Sequence, residues 1–372
     1  MITLKDKFRG CIAASRVGSA MGAPVEGWSR ERVKEKYGFL DELVAYEHYG
    51  NGWLRPPGTT EDGIERQKLM AKAIIEKQDR IMAHDLLAVW TRDLDPEKLV
   101  WKQEAFDKSL LELARAGVPP LQLGQLWPFP NVVAMARASH PIGLINACDP
   151  QGAADDSFEV GQVYARQTAF ALRWAALYNA AIAEACKPNA TVESVLDVAK
   201  TFVHHRAEAG SLYALYDTIE GEVKHALELA AKHTDPTAMR DEFYERYEGG
   251  HYFNYGQSQA NEIVSKGLAV FAISNGDPKQ AILTAVNFGR DTDCLAAVGG
   301  GLAGALSGVQ AVPADWIAQV NEATQQDPYT NDKRSIEETA DGLLSAFLAR
   351  RLRLNEYLQL INEPGYIDQE NE

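Results

Sequence analysis

The stretch NFGRDTDCLAAVGGGLAGALSG, Asn287 to Gly308, places two aspartates one residue apart at the start of a long uncharged run. From Cys294 to Ala314 the chain carries no Asp, Glu, Lys or Arg. A segment of this length could cross a bilayer, but it consists mostly of glycine and alanine, which insert weakly. We therefore predict a buried helix in a folded domain, preceded by an acidic loop.

Glycines in this run repeat with a helical period. Gly300, Gly304 and Gly308 recur every four residues, so they lie on one face of a helix and allow another helix to approach closely. The run also contains GGGLAG, Gly299 to Gly304, which fits the dinucleotide-binding pattern G-x-G-x-x-G. That pattern requires a hydrophobic strand before it, whereas two acids and an arginine precede it here. Close helix packing that holds the aspartate loop rigid is the favoured interpretation.

The rest of the chain is also helical in pattern. Aspartate–proline pairs, which start helices with a cap and a proline in the first turn, occur at Asp95-Pro96, Asp235-Pro236 and Asp277-Pro278. Long amphipathic patterns cover residues 63–80, 97–117, 157–187 and 335–361. Alternating strand patterns are scarce. We predict an all-α fold, a single compact domain of many packed helices over residues 1–366, followed by a frayed acidic tail at 367–372.

Composition restricts the partners and the compartment. The 372 residues carry a formal net charge of -15, which disfavours nucleic acid and anionic membranes as partners. The four cysteines are scattered without a CxxC spacing, a pattern that suits a reducing compartment better than a zinc site or a disulfide framework. The first 26 residues have no long apolar segment, so we expect no signal peptide and a cytoplasmic location.

The two aspartates of the opening stretch allow two interpretations. One of them, Asp291 or Asp293, could cap the following helix by accepting backbone N–H bonds. A cap needs only one carboxylate, and two against an uncharged helix repel each other unless a cation lies between them.

A second acidic loop, PPGTTEDGIERQ at residues 56–67, raises the same question. A capping box, with Asp62 as the N-cap and Glu65 three residues later, would explain two of its acids. It would not explain why Thr60 and Glu61 add further oxygen atoms. Together the two loops offer donors that suit Mg²⁺ or Mn²⁺, although the residues alone leave a metal site and two separate caps as equal alternatives.

Three blocks of sequence resemble those of the ADP-ribosylglycohydrolase family: GSAMGAPVEGW at residues 18–28, GTTEDG at 58–63, and the opening stretch. The family pattern is G-D-A-x-G-x-P-x-E, then T-D-D, then N-x-G-G-D-T-D-[TS], and the blocks occur here in that order. The resemblance implies an all-α fold with one or two Mg²⁺ or Mn²⁺ ions in a cleft formed by loops between helices. It also implies hydrolysis of an N- or O-glycosidic bond.

Carried over position by position, the resemblance assigns roles to individual residues. It implies catalytic roles for Glu26 and Asp62. The implied metal ligands are Thr60, Glu61, Asp62, Asp291, Asp293 and Cys294. A middle family block, N-G-x-x-M-R-x-x-P, survives loosely in NVVAMARASHPIGL. The implied substrate-binding positions are Asn131, Met135, Gly289 and Arg290.

The sequence departs from the family pattern at several of these positions. Ser19 replaces an aspartate, Glu61 replaces an aspartate, and Arg290 replaces the second glycine of G-G-D. Cys294 stands where the family has a hydroxyl residue, and a soft thiol is poorly suited to Mg²⁺. We therefore expect one of the two metal positions to be weakened or lost. Arg290 could instead meet a phosphate or carboxylate of an unusual substrate.

These features lead to one function and one alternative. The main prediction is a metal-dependent glycohydrolase that acts on an ADP-ribosyl or ribosyl conjugate, either a protein side chain or a small metabolite. The alternative is a catalytically weakened family member that binds ADP-ribose or another nucleotide-like ligand without turnover. A purely structural helical protein would have neither activity nor site.

Overall fold

The computed structural model describes residues 2–48, 50–102, 105–166, 169–207, 219–248 and 258–363. Within these ranges the chain forms nineteen α-helices and one short antiparallel ribbon, which confirms the all-α prediction. The predicted tail at 367–372 lies outside the described residues. In chain order the elements are α1 Leu4–Gly22, α2 Arg30–Tyr37, β1 Tyr46–Glu47, β2 Leu54–Arg55, α3 Asp62–Lys77, α4 Ala83–Asp93, α5 Pro96–Lys102, α6 Ala105–Arg115, α7 Pro120–Leu126, α8 Ala134–Ala138, α9 His140–Ile145, α10 Pro150–Gly161, α11 Phe170–Ala185, α12 Val192–Thr201, α13 Ile219–Lys232, α14 Pro236–Glu248, α15 Ala260–Ile273, α16 Pro278–Val286, α17 Thr292–Ser307, α18 Ala314–Gln326 and α19 Ile336–Ile361.

The predicted helix starts are confirmed more closely than the predicted helix lengths. Helices α5, α14 and α16 each begin at the proline of an aspartate–proline pair. The pattern at 157–187, which reads as one continuous helix, is divided between α10 and α11. Helix α10 ends at Gly161, where an added Cβ would lie 2.5 Å from Leu172 Cδ2 of α11. The chain therefore turns back at the glycine, so that the second helix packs on the first.

Helices α1 and α17 cross at the centre of the fold with their backbones in contact. A Cβ added to Gly304 would lie 2.1 Å from the carbonyl oxygen of Gly10, and one added to Gly18 would lie 2.3 Å from that of Ala296. At the end of the crossing, Thr292 Oγ1 donates a hydrogen bond of 2.8 Å to the carbonyl oxygen of Gly22. The predicted close approach is thus confirmed, and it fixes the start of α17 against the end of α1.

The same crossing shows that the uncharged run is a buried helix of the folded domain. Every residue of α17 from Thr292 to Leu306 is buried inside the domain. None of the helices in the described ranges combines the length and apolarity needed to span a membrane. The G-x-G-x-x-G match falls within α17, far from any strand-to-helix turn of the kind that binds dinucleotides.

Substituting Gly304 with alanine is expected to destabilise the fold by about 1–3 kcal/mol, because the added methyl group overlaps the backbone of α1. Denaturant unfolding would measure the loss. Gly221→Ala is the matched control, since Gly221 lies within α13 with no atom within 4 Å of an added Cβ. That control should be neutral or slightly stabilising, as alanine favours helix. Equal unfolding midpoints for the two variants would contradict the close crossing.

The capping box that was one alternative for Asp62 and Glu65 does not form at the start of α3. The N-cap is Glu61, whose side chain makes no capping hydrogen bond, and Asp62 is the first helical residue. Glu65 is fully buried, 3.0 Å from Lys68 Nζ and 3.4 Å from Lys102 Nζ. Ion pairs with two buried lysines stabilise Glu65 more than a hydrogen bond to the backbone of the N-cap residue would. Its side chain therefore points into the core and does not cap the helix.

Candidate functional site

The start of α17 brings three donor side chains together. Asp291 is the N-cap, and its Oδ1 accepts a hydrogen bond of 3.3 Å from the backbone N–H of Cys294. The capping interpretation is therefore confirmed for Asp291, while Asp293 lies in the first turn. Donor atoms of Asp291, Asp293 and Cys294 lie within 4.8 Å of one another, and all three residues are buried.

One oxygen of each aspartate is left without a donor. Asp291 Oδ2 and Asp293 Oδ1 are buried and accept no hydrogen bond from any residue that the structure describes. Burial, followed by the charges of Glu26 and Asp291, raises the pKa of Asp293 well above its ordinary value. Unsatisfied buried carboxylate oxygens are the donors that a hard divalent cation prefers, so this pair fits Mg²⁺ or Mn²⁺.

In the second acidic loop, Thr60 and Glu61 are both buried. Glu61 Oε1 accepts a hydrogen bond from the Tyr46 hydroxyl and lies 3.2 Å from Arg55 Nε. The β-ribbon pairs Tyr46 with Arg55, which explains why both reach the same carboxylate. Ser19, where the family has an aspartate, accepts a hydrogen bond of 3.4 Å from the Glu61 backbone N–H.

Arg137 joins the two acidic loops. Its Nη2 donates to Asp62 Oδ2, and its Nη1 donates a bond of 3.2 Å to Cys294 Sγ. Arg66 Nη1 donates to the same Asp62 oxygen at 2.8 Å. Although burial alone would raise it, the charges of Arg137 and Arg66 hold the pKa of Asp62 below its ordinary value.

Arg137 is not among the site residues predicted from the sequence. It lies in α8, two residues after Met135, where the family block M-R has its arginine one position earlier. One feature of the sequence could have indicated it: Arg137 is the one Lys, Arg, Asp or Glu between Arg115 and Asp149. Of the two positions predicted from this block, Met135 is buried, whereas Asn131 is exposed and its carbonyl accepts a bond of 2.8 Å from the Ala260 N–H.

Glu26 follows a 3₁₀ turn at Ala23–Val25, just beyond the end of α1. Its neighbours are tied to the aspartate loop, because the Gly27 N–H donates to the Arg290 carbonyl and the Arg290 N–H donates to the Trp28 carbonyl, each at 2.7 Å. Burial, followed by the charges of Asp291 and then of the second acidic loop, raises the pKa of Glu26 well above its ordinary value. His48 Nδ1 lies 3.6 Å from Glu26 Oε2.

Gly289 and Arg290 form the turn that leads into the aspartates, and both have positive φ angles, 84° and 67°. A Cβ on Gly289 would lie 2.4 Å from the Tyr244 hydroxyl oxygen, so the close approach requires glycine. Arg290 Nε lies 2.6 Å from Oε1 of the buried Glu262. Arg290 thus meets a carboxylate of the protein itself, which holds its guanidinium beside the site.

Comparisons with known proteins identify the family. The model of the ADP-ribosylglycohydrolase family matches residues 1–353. The chain belongs to the ADP-ribosylglycohydrolase family. The uncharacterized protein YegU of Escherichia coli K12 is 23% identical over 337 residues, covering 87% of this chain and 94% of its own length. An uncharacterized protein of Archaeoglobus fulgidus is 26% identical over 151 residues, covering 38% of this chain and 44% of its own.

A solved structure described as an ADP-ribosylglycohydrolase-related protein complex matches with a TM-score of 0.63. The match covers 94% of this chain and 99% of that chain, at 19% identity. At this identity the likeness supports the fold, while the chemistry of this family member has to be argued from its own residues.

Cation affinity is expected to rise with pH. Asp293 and Glu26 have raised pKa values, so protons compete for the site above the ordinary carboxylate range, and binding displaces them. Each displaced proton contributes up to about tenfold in affinity per pH unit. Calorimetry with Mn²⁺ at about pH 5.5, 6.5 and 7.5 would measure the slope. A constant affinity over this range would show that neither carboxyl group is protonated before binding.

Proposed function

We propose that this family member is a metal-dependent glycohydrolase that cleaves the glycosidic bond of an ADP-ribosyl or ribosyl conjugate. The observation that carries the proposal is the buried pair of carboxylate oxygens on Asp291 and Asp293, close in space to the ionisable Glu26. Family membership supplies the reaction class, and the site supplies the groups that the reaction needs. The four free cysteines support a cytoplasmic location.

Asp291 and Asp293 would hold the cation, with Thr60, Glu61 and Asp62 in the second acidic loop, which Arg137 links to the start of α17. When bound, the cation would make a water molecule more acidic and hold hydroxyl groups of a ribose. Glu26 would accept the proton of the attacking water, because a carboxylate with a raised pKa is a stronger base than an ordinary glutamate. The surrounding carboxylates would stabilise the positive charge that develops at the anomeric carbon.

His48 lies beside Glu26 and affects that role. Burial lowers the pKa of His48, so the ring is neutral at pH 7 and does not hold Glu26 in a permanent ion pair. The ring is therefore an uncharged neighbour of the Glu26 carboxylate.

Turnover of a substrate panel tests the proposal. The panel contains ADP-ribosyl-arginine, ADP-ribosyl-serine, O-acetyl-ADP-ribose and plain nucleosides, each with Mg²⁺, Mn²⁺ or EDTA, and released ribose or ADP-ribose is measured. We expect cleavage of at least one ADP-ribosyl or ribosyl conjugate that stops with EDTA. Failure to cleave any member with either metal would refute the enzymatic proposal for these substrates.

A second candidate function is ligand binding without turnover. The specific observation in its favour is the hydrogen bonding of Cys294 and Asp62 to Arg137, since groups engaged in this way are poor metal ligands. Binding of ADP-ribose would raise the melting temperature as its concentration increases above the dissociation constant. A melting shift without any product would favour the binder over the enzyme.

A further inference from the structure

The acidic groups of the site divide into two halves according to their partners. In the first half, Asp62 Oδ2 accepts hydrogen bonds from both Arg137 and Arg66, and Cys294 Sγ accepts one from Arg137. Asp62 therefore has its negative charge balanced within the protein. Its neighbour Glu61 is similarly held by Arg55 and Tyr46.

In the second half, the charges are not balanced in this way. Asp291 and Asp293 are each 2% exposed, and each has one oxygen that accepts no hydrogen bond in the described part of the chain. Neither forms an ion pair with a Lys or Arg of those ranges. A buried carboxylate pair of this kind is stable only when one member takes a proton or when an external positive charge joins it.

We propose that the site holds one divalent cation, on the Asp291–Asp293 half, and that the Arg137 guanidinium is the fixed positive charge of the Asp62–Cys294 half. This inference rests on the proposed function, because it concerns the same site. Arg137 suits the role, since its planar group carries a permanent charge and donates in two directions to groups from separate loops. It is a positioning residue that joins the start of α3 to the start of α17.

The proposal limits the number of ions that can bind. A second cation on Asp62 would have to displace the hydrogen bonds from Arg137 and Arg66 and lie next to their charges. The thiol of Cys294 offers no compensation, because thiol sulfur is a weak donor to Mg²⁺ and Mn²⁺. We therefore expect a stoichiometry of one ion for each chain.

Counting bound Mn²⁺ tests this directly. Equilibrium dialysis, with the free Mn²⁺ measured by electron paramagnetic resonance, should give one ion for each wild-type chain at saturation. Arg137→Met removes the charge that lies between Asp62 and Cys294 but keeps most of the side-chain volume, so a second ion should bind, more weakly than the first because Arg66 still donates to Asp62. Arg137→Lys keeps the charge, so its count should remain one. Arg9→Met is the matched control, because Arg9 forms a two-bond pair with Asp341 in α19 and should leave the count at one.

The outcomes separate this inference from the proposed function. Two ions on the wild-type chain would overturn the role of Arg137 while leaving a metal-dependent hydrolase intact. An Arg137→Met count of one, with unchanged affinity, would also overturn it. No bound ion on the wild-type chain would refute the metal centre itself, and the inference with it. The wild-type count needs no substitution, so the test decides even where Arg137→Met fails to fold.

Discussion

Replacing Asp293 with asparagine is expected to weaken Mn²⁺ binding by at least about 100-fold, because loss of a direct ligand exceeds the 10- to 100-fold cost of losing outer-shell partners. Hydrolysis of a cleaved substrate should fall with it at any fixed Mn²⁺ concentration below saturation. The reason is local, since Asp293 Oδ1 is one of the two buried oxygens that no described residue satisfies. Asparagine keeps the shape but removes the charge that attracts the cation.

The same substitution should stabilise the cation-free protein. The pKa of Asp293 in the folded state is raised, so its contribution to stability is present below the ordinary carboxyl pKa and is lost as the pH rises through the folded value. Above the folded-state pKa, ionised Asp293 repels Glu26 and Asp291, and asparagine removes that repulsion. Thermal unfolding in EDTA should therefore show a higher melting temperature for Asp293→Asn than for the wild type.

A matched control distinguishes the effect of removing a charge at the site from the effect of removing an aspartate at any helix N-terminus. Asp315→Asn removes an aspartate from the first turn of α18. Asp315 is exposed to solvent, whereas the carboxylates of the pair are buried. It should leave Mn²⁺ affinity unchanged and the EDTA melting temperature the same or slightly lower, because it loses a favourable helix-dipole interaction. Undiminished Mn²⁺ affinity in Asp293→Asn would contradict the assignment of this residue as a ligand.

The features that sequence predicted correctly are those encoded by local pattern. Glycine at Gly300 and Gly304 fixes which face of α17 another helix can approach, and the structure places α1 there. Aspartate–proline pairs indicate where helices begin, because a helix tolerates proline in its first turn but is disrupted by proline further along. Both signals act over a few residues, so a single sequence carries them without knowledge of tertiary contacts.

The features that sequence missed depend on residues distant along the chain. Arg137 acquires its role from Asp62 and Cys294, which are 75 and 157 positions away. The capping box failed for the same reason, because Glu65 is drawn to Lys102, 37 residues later, and to Thr330, 265 residues later. Buried ion pairs of this kind override local capping preferences, and no local pattern reveals them.

Replacing Glu26 with glutamine is expected to slow hydrolysis by about 100-fold or more, the usual contribution of a positioned general base. Glutamine has the same shape but cannot accept a proton from water. Because Glu26 is assigned to proton transfer and affects the cation only through its charge, not as a ligand, Mn²⁺ affinity should change far less than in Asp293→Asn. The free energy of unfolding should stay within about 1 kcal/mol of the wild type.

The pH dependence of the rate distinguishes a base from a residue that only shapes the cleft. The wild-type rate should rise with pH as Glu26 loses its proton, at pH values above the ordinary glutamate range because its pKa is raised. Glu26→Gln should lose that rising limb as well as the rate. Glu31→Gln, which alters an exposed glutamate paired with Arg30 on α2, should retain both. If Glu26→Gln hydrolyses the substrate as fast as the wild type, or slowly with the same pH profile, another group accepts the proton.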